Sequence, residues 1–485
     1  MVRRFLLVLV SVTLLSVPAA AGELQDDLAA RRARVMEQLT AQSMLILWSA
    51  PVKVYSHDVD YEFRQDSNLY YLTGIDQPET ILVLMPGNQR RREILFISPR
   101  DPVREHWEGH LLSPAEATEQ SGVTTVYTTN EFEPFINAVL GGSSYGAGGA
   151  SQEYDRFTQA LRNGAARLAV MLTPKPGLSD ELPATYRFVR QAQERFPGIM
   201  AIDAFPILRD LRQVKTPYER KLLQESANVS SDAHIAGMKA ARPGAYEYEV
   251  EAAIEYVYKK NGALDWGYPS IVGSGPNSTI LHYNASTRRM EDGDLLLVDA
   301  AANYKYMTVD ITRTYPVNGR FTAEQRELYS LVLAAQEEGM KAARAGARLA
   351  DIHQKTVDVI KAGLLGLGLI TDASGDQYRV WYTHGSVHWI GLDVHDVGDS
   401  ARPLEAGMSF VIEPGVYIRE SALEHLPKTP QNAAFIEKVR PAVRKYNNSG
   451  VRVEDSFLLT ETGLQRLSAK VPRTIDEIEA LMRMR

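Results

Sequence analysis

Two aspartates separated by a short polar stretch are the first residues whose placement calls for chemistry. Asp299 closes the apolar run Leu295, Leu296, Leu297, Val298, and Asp310 opens the run Asp310, Ile311, Thr312, Arg313, Thr314. The polar residues 303–306 read as a turn between two strands. A turn centred between Tyr304 and Lys305 sets Asp299 opposite Asp310, with Cβ atoms roughly 4.5–5.5 Å apart on one face. Two carboxylates that close repel, and in a buried hairpin they predict a cation between them. The alternative is one surface and one turn aspartate in another register.

Three of the chain's ten histidines, His384, His388 and His395, fall within one short segment, which suits a site better than scattered rings do. Neutral imidazole ligates metals, and an unligated ring moves protons near neutral pH. His353 and His425 stand alone and read as ordinary core or surface residues. Glu413 ends the apolar run Phe410, Val411, Ile412 just before Pro414-Gly415, a poor place for a solvated carboxylate. It reads as a site residue or as a cap on the turn. In Val451, Arg452, Val453, Glu454 the charged pair shares one strand face, as a ligand with its orienting arginine or as a plain salt bridge. Four carboxylates and one imidazole favour a hard cation such as Mn²⁺ over thiolate-type zinc chemistry. Five ligands exceed what one structural ion needs and match two ions sharing an activated water.

The elements that must hold these residues are legible in outline. Thr216, Pro217 and Glu219 form a capping box with proline at the first helical position, predicting a helix to about residue 241. A second helix is expected over 246–260. Thr322 and Gln325 start a third reaching about residue 346, and a fourth covers 349–367. Strands are expected over 295–301, 307–315, 409–413 and 451–459. Upstream, a helix over 23–42 precedes two strands, 81–85 and 93–97, joined by the turn Pro86-Gly87-Asn88. Helices are expected over 115–120 and 151–162. Strands alternating with helices predict a small α/β domain ending near residue 210.

A chain of 485 residues divides into two or three domains, and 45% hydrophobic with 23% charged residues is a globular composition. A net charge of −7 argues against nucleic acid or an anionic membrane as the main partner. Arg3-Arg4, the apolar run 5–17 and Ala19-Ala20-Ala21 read as a signal peptide cleaved after Ala21, so the chain is expected to be exported, to the periplasm or beyond. No cysteine is present, which excludes disulfides and a lipid anchor at that cleavage site.

From about residue 208 onward the chain resembles the pita-bread metallopeptidases, most nearly Xaa-Pro aminopeptidase (aminopeptidase P). The segments carrying the resemblance are 271–283, the Asp299/Asp310 hairpin, 384–395, Glu413-Pro414-Gly415 and Arg452-Val453-Glu454. Residues 61–74 resemble that family's N-terminal domain. The resemblance implies an α/β (α+β) chain: signal peptide over 1–21, a creatinase-like capping domain over 22–210 and a pita-bread catalytic domain over 211–485. It implies that Asp299, Asp310, His388, Glu413 and Glu454 hold two divalent ions, usually Mn²⁺, with Asp310 and Glu454 bridging. Glu413 would also carry the proton, His384 and His395 would contact the substrate carbonyl and proline, His282 would line the proline pocket, and Arg452 and Tyr417 would support the ligands. The expected reaction is release of the N-terminal residue from peptides with proline second, by attack of a hydroxide held between the ions. Prolidase, which cleaves Xaa-Pro dipeptides, is the near alternative, and a non-catalytic binding protein on this scaffold the distant one. A homo-oligomer is expected, dimer or tetramer, with Trp107 the aromatic reaching a neighbour's site.

Overall fold

The computed structural model describes residues 22–146 and 152–484; the expected signal peptide lies outside them. Among the described residues no helix is long and apolar enough to cross a membrane. The N-terminal half is built on a six-stranded sheet, in spatial order Thr125–Thr128, Glu93–Ile97, Ile81–Leu84, Ser43–Trp48, Ala166–Val170 and Ile199–Asp203. The strands Ser43–Trp48, Ala166–Val170 and Ile199–Asp203 run parallel, and Ile81–Leu84 runs antiparallel to both its neighbours. Alternation along the strands splits the sheet's side chains between two cores. Leu45, Leu47, Leu82, Leu84 and Leu95 join the large core shared with the C-terminal half. Met44, Ile46, Val83, Ile94 and Phe96 face a second core under Phe135 and Phe157.

The helix Phe205–Gln213 leads into the C-terminal half. The capping box forms as expected: Thr216 Oγ1 accepts from the Glu219 amide at 3.2 Å and the Glu219 carboxylate accepts from the Thr216 amide at 2.9 Å. The helix runs Pro217–Ala240 and packs against Glu247–Lys260; a second pair, Ala323–Ala342 and Leu349–Gly366, packs likewise. The first helix is Glu23–Gln38, shorter than 23–42, because Ser43 already begins a strand. The helix expected over 151–162 is Asp155–Arg162.

The two helix pairs enclose short antiparallel sheets that carry the chemistry: Ile271–Ser274 with Leu295–Asp299 and Thr312–Pro316, Ser409–Ile412 with Asp455–Thr460, and Gly415–Ile418 with Ser449–Arg452. Two long strands expected from sequence are broken at the site. Met307–Thr308 and Thr312–Pro316 flank Asp310, and Ser449–Arg452 and Asp455–Thr460 flank Glu454. Each break frees a carboxylate from the ladder's alternation and turns it inward.

The expected hairpin register is corrected. Asp299 pairs with Thr312, and Tyr304 pairs with Met307. The turn is therefore Lys305-Tyr306, with both residues at positive φ, 49° and 70°, the two-residue geometry that suits a twisted hairpin. The sequence hides it because neither residue is Gly, Asn or Asp. Moving the turn centre by one residue moves each pairing by two, and Asp310 falls in the gap between the two ladders, where the Tyr268 hydroxyl joins it to Asp299.

Candidate metal centre and active-site cavity

A cavity of about 350 Å³ opens where the broken strands meet, lined by His282, Asp299, Asp310, His384, His388, His395, Glu413, Arg452 and Glu454 among others. The expected ligands and the expected substrate-facing histidines all line it; Tyr417 stands behind His384 and Arg452, and Trp107 lies away from it on an exposed helix. A second chamber of about 250 Å³, bounded by Tyr268, Pro269, Ile271, Asn284 and Val394, shares His282, Asp299, Asp310 and His395 with the first.

Asp299, Asp310 and Glu454 form the floor and are buried. The Tyr268 hydroxyl lies 2.7 Å from Asp299 Oδ1 and 2.5 Å from Asp310 Oδ1, tying the two aspartates together. Arg452 donates through Nη2 to Asp299 Oδ2, through Nη1 to Tyr417 Oη at 2.8 Å and through Nε to Thr312 Oγ1 at 3.0 Å. Thr312 Oγ1 in turn donates to Glu454 Oε2 at 2.7 Å. The other oxygen, Glu454 Oε1, is buried without a hydrogen-bond partner. An orphaned buried carboxylate oxygen is costly and marks a place for a cation.

His388 supplies the imidazole. Its Nδ1 lies 3.1 Å from the Trp389 carbonyl, which fixes the proton there and leaves the Nε2 lone pair facing the cavity. Around that Nε2 stand Asp310 Oδ2 at 3.5 Å, Glu413 Oε1 at 3.6 Å and Glu454 Oε1 at 3.9 Å. These are the spacings of atoms grouped around a shared ion rather than bonded to one another. Two overlapping sets emerge, His388/Glu413/Glu454 and Asp299/Asp310/Glu454, with Glu454 in both; His395 forms a third with Asp310 and His388. Tertiary bonds hold the parts in place: the Glu413 amide donates to Ser386 O at 2.8 Å, and the Val411 amide to His388 O at 3.0 Å.

The electrostatics point the same way. Burial raises Glu413 to about 8, with the Glu454 charge adding to it. Burial, and then the Asp299 charge, hold Asp310 well above the usual carboxylate range; Glu454 is raised by burial and by Asp310. Burial works to raise Asp299 too, but the Arg452 guanidinium and the Tyr268 hydroxyl outweigh it and keep that carboxyl low. Four carboxylates with one direct arginine partner are a deficit of positive charge that divalent cations fit.

His384 is held differently from His388. Its Nδ1 lies 2.6 Å from the Gly385 carbonyl and its Nε2 2.7 Å from Tyr417 Oη. Burial, aided by Arg452, lowers it to about 3, so the ring is neutral at any working pH. Tyr417 thus links Arg452 to His384. His282 and His395 are exposed to the cavity. Three contributors went unseen in the sequence. Tyr268 carries no charge and sits in no periodic pattern. His353, which reads as an isolated ring, places Nδ1 2.7 Å from Ser386 Oγ and so props the loop between His384 and His388. Glu247 is fully buried and accepts from Ser274 N at 2.7 Å, Tyr283 Oη at 2.8 Å and Arg288 N at 2.9 Å, fixing the loop that carries His282.

A two-domain α/β fold with this ligand cluster defines a metal-dependent enzyme. Residues 221–461 match the model of metallopeptidase family M24, and residues 28–145 match that of the aminopeptidase P N-terminal domain. A Xaa-Pro aminopeptidase of Haemophilus influenzae is 35% identical over 467 residues, covering 94% of this chain and 97% of that protein. The structure of an aminopeptidase from Pseudomonas aeruginosa superimposes with a TM-score of 0.79 at 33% identity, over 95% of this chain and 98% of that one. Zinc-substituted Escherichia coli aminopeptidase P, solved with product, does so with a TM-score of 0.78 at 32% identity, over the same shares of the two chains, 95% and 98%. The chain belongs to metallopeptidase family M24, in its aminopeptidase P branch, and is a metallo-aminopeptidase.

Proposed function

We propose that this enzyme removes the N-terminal residue from peptides with proline in second position, using two divalent ions, Mn²⁺ by preference. The observation that supports this best is the unpartnered Glu454 Oε1, set among Asp299, Asp310, Glu413 and the free Nε2 of His388. Asp299, Asp310, His388, Glu413 and Glu454 would hold the ions. Bound there, the ions supply an activated water and stabilise charge on the carbonyl under attack. Oxygen donors with one imidazole suit a hard cation.

The protein's own groups do the rest. Glu413 sits at the cavity wall and moves the proton to the proline nitrogen as the bond breaks. Proline has no N–H, so its ring is selected by shape, and His282 and His395 frame the chamber that takes it. Arg452 fixes Asp299 directly and His384 through Tyr417. The N-terminal domain restricts entry to free chain ends. Trp107 is 80% exposed on the helix Pro102–Glu108, which buries none of its residues, and a second copy of the chain would cover that face. The sequence 1–21 would direct export.

The test is to purify the mature chain, strip it of metal, reload it with Mn²⁺ or Zn²⁺, and compare Xaa-Pro-Yaa, Xaa-Pro and Met-Xaa peptides. Cleavage of Xaa-Pro-Yaa is expected. Cleavage of Xaa-Pro dipeptides alone would make the enzyme a prolidase, and a folded, loaded but inert protein would make it a binding protein.

A further inference from the structure

The N-terminal domain does more at the site than block it. Arg64 Nη2 donates to the Leu392 carbonyl at 2.6 Å, and its guanidinium lies 4.8 Å over the Tyr306 ring. Leu392 belongs to the loop carrying His388 and His395; Tyr306 is the turn of the Asp299/Asp310 hairpin. One side chain therefore touches both segments. On the loop, Ser67 Oγ donates to Asp393 Oδ1 at 2.9 Å, and Arg212 Nη2 donates to Asp393 Oδ2 at 2.6 Å and also to Asp396. Lys215 Nζ donates to Asp396 Oδ2 at 2.7 Å. His395 is thus gripped two residues before and one residue after its own position. On the hairpin, Tyr70 stacks on Tyr306 at 3.7 Å, the Gln65 amide donates to Tyr306 Oη at 2.8 Å, and that hydroxyl donates to Asp76. Tyr306 sits at positive φ, a conformation that a bulky residue keeps only when its surroundings hold it.

We propose that Arg64 is a positioning residue: from the N-terminal domain it fixes His395 through the loop 391–396, with Arg212 and Lys215 anchoring the loop's far side. The assignment rests on the proposed peptidase reading only for its kinetic test. The side chain of Arg64 is 42% exposed and belongs to neither hydrophobic core, so its removal opens no core cavity.

Kinetics are measured on the metal-loaded full chain for Arg64→Ala, His395→Ala and the double variant, with Xaa-Pro-Yaa substrate. Arg64→Ala is expected to lower kcat/KM about tenfold, the order of one hydrogen bond to a charged group, with metal content and melting temperature unchanged. In the His395→Ala background the same change should cost less than about twofold, because the group it positions is gone. Arg64→Lys, which keeps the charge but not the planar contact with Tyr306, should recover only part of the loss. An equal loss in both backgrounds, a loss that tracks melting temperature, or no loss overturns the proposal. Hydrogen exchange reads the same positioning without any substrate. Arg64→Ala should speed exchange of the Gly391 and Asp396 amides, which donate to the Asp393 and Trp389 carbonyls, and leave 295–299 unchanged. Unaltered exchange at 391–396 refutes positioning by Arg64, whereas failure of the parent enzyme on Xaa-Pro-Yaa refutes only the substrate.

Discussion

Replacing Glu413 with glutamine should stabilise the metal-free protein while disabling the enzyme. In the metal-free fold Glu413 is raised to about 8, against an ordinary value of 4.5. At pH 7 the folded carboxyl stays largely protonated, whereas in the unfolded chain it ionises freely. Each pH unit across that gap favours unfolding by roughly 1.4 kcal/mol, so the two and a half units from 4.5 to 7 amount to about 3 kcal/mol. Its side chain is 17% exposed and its repulsion is shared with Glu454, so about 1–3 kcal/mol is the fair range. The sign follows: the destabilisation begins above pH 4.5, grows to about pH 8 and then levels off. Glutamine has nothing to ionise, so Glu413→Gln should melt a few degrees above the parent in chelator at pH 7. That advantage should shrink towards pH 5, where both side chains are neutral. With Mn²⁺ added the order should reverse, because the parent gains more from binding. Hydrolysis should fall by roughly 10²–10⁴ with loss of the proton carrier. Melting curves across pH with and without metal decide it. A metal-free variant no more stable than the parent at pH 7, or one that keeps parental activity, would refute the reasoning.

Other outcomes follow from single features. Tyr268→Phe removes the hydroxyl that ties Asp299 to Asp310, and should weaken metal binding by roughly 10–100-fold, read by titrating Mn²⁺ into stripped protein. Burial works to raise Asp396, but Arg212 and Lys215 hold it low. Its stabilisation is therefore present above about pH 4 and lost below, and Lys215→Met should cost about 3–5 kcal/mol at pH 7 by leaving the buried carboxylate short of a partner. Acid and thermal unfolding measure both. Gly450→Ala would set its Cβ 1.8 Å from the Ser278 carbonyl oxygen, and should cost more than about 3 kcal/mol or prevent folding, visible as lost soluble yield. Expressed with residues 1–21 in a host that exports proteins, the chain should show the intact mass of one starting at Gly22; a mass retaining residues 1–21 refutes cleavage there.

The parts of the site legible in sequence were those whose oddity is local. Glu413 before Pro414-Gly415, the crowded histidines of 384–395 and the paired aspartates each violate the expectation that ionisable side chains face water. The Thr216 cap was legible because capping is a three-residue rule. What stayed hidden depends on distance. The turn at Lys305-Tyr306 uses positive φ at residues that rarely adopt it, and its reason is Tyr70, far away in the chain. The strand breaks at Asp310 and Glu454 are forced by the site and not by any breaker residue. His353 looked ordinary because its partner, Ser386, is 33 positions along. Tyr268 and Glu247 act through hydrogen bonds that neither hydropathy nor spacing reveals.

The join between Arg64 and Leu392 spans 328 residues, and that between Thr312 and Glu454 spans 142. Contacts so distant in sequence form late, after the loops they close have lost their freedom. The N-terminal sheet, complete by Asp203, can assemble as soon as its own residues are made. The ligand cluster cannot, because Glu454 arrives near the end of synthesis. A chain still lacking its last strands would hold scattered carboxylates rather than a chelating pocket. Cations would be taken up only once Asp455–Thr460 has docked beside Ser409–Ile412, so the ability to bind metal belongs to the finished fold and to no single segment of it.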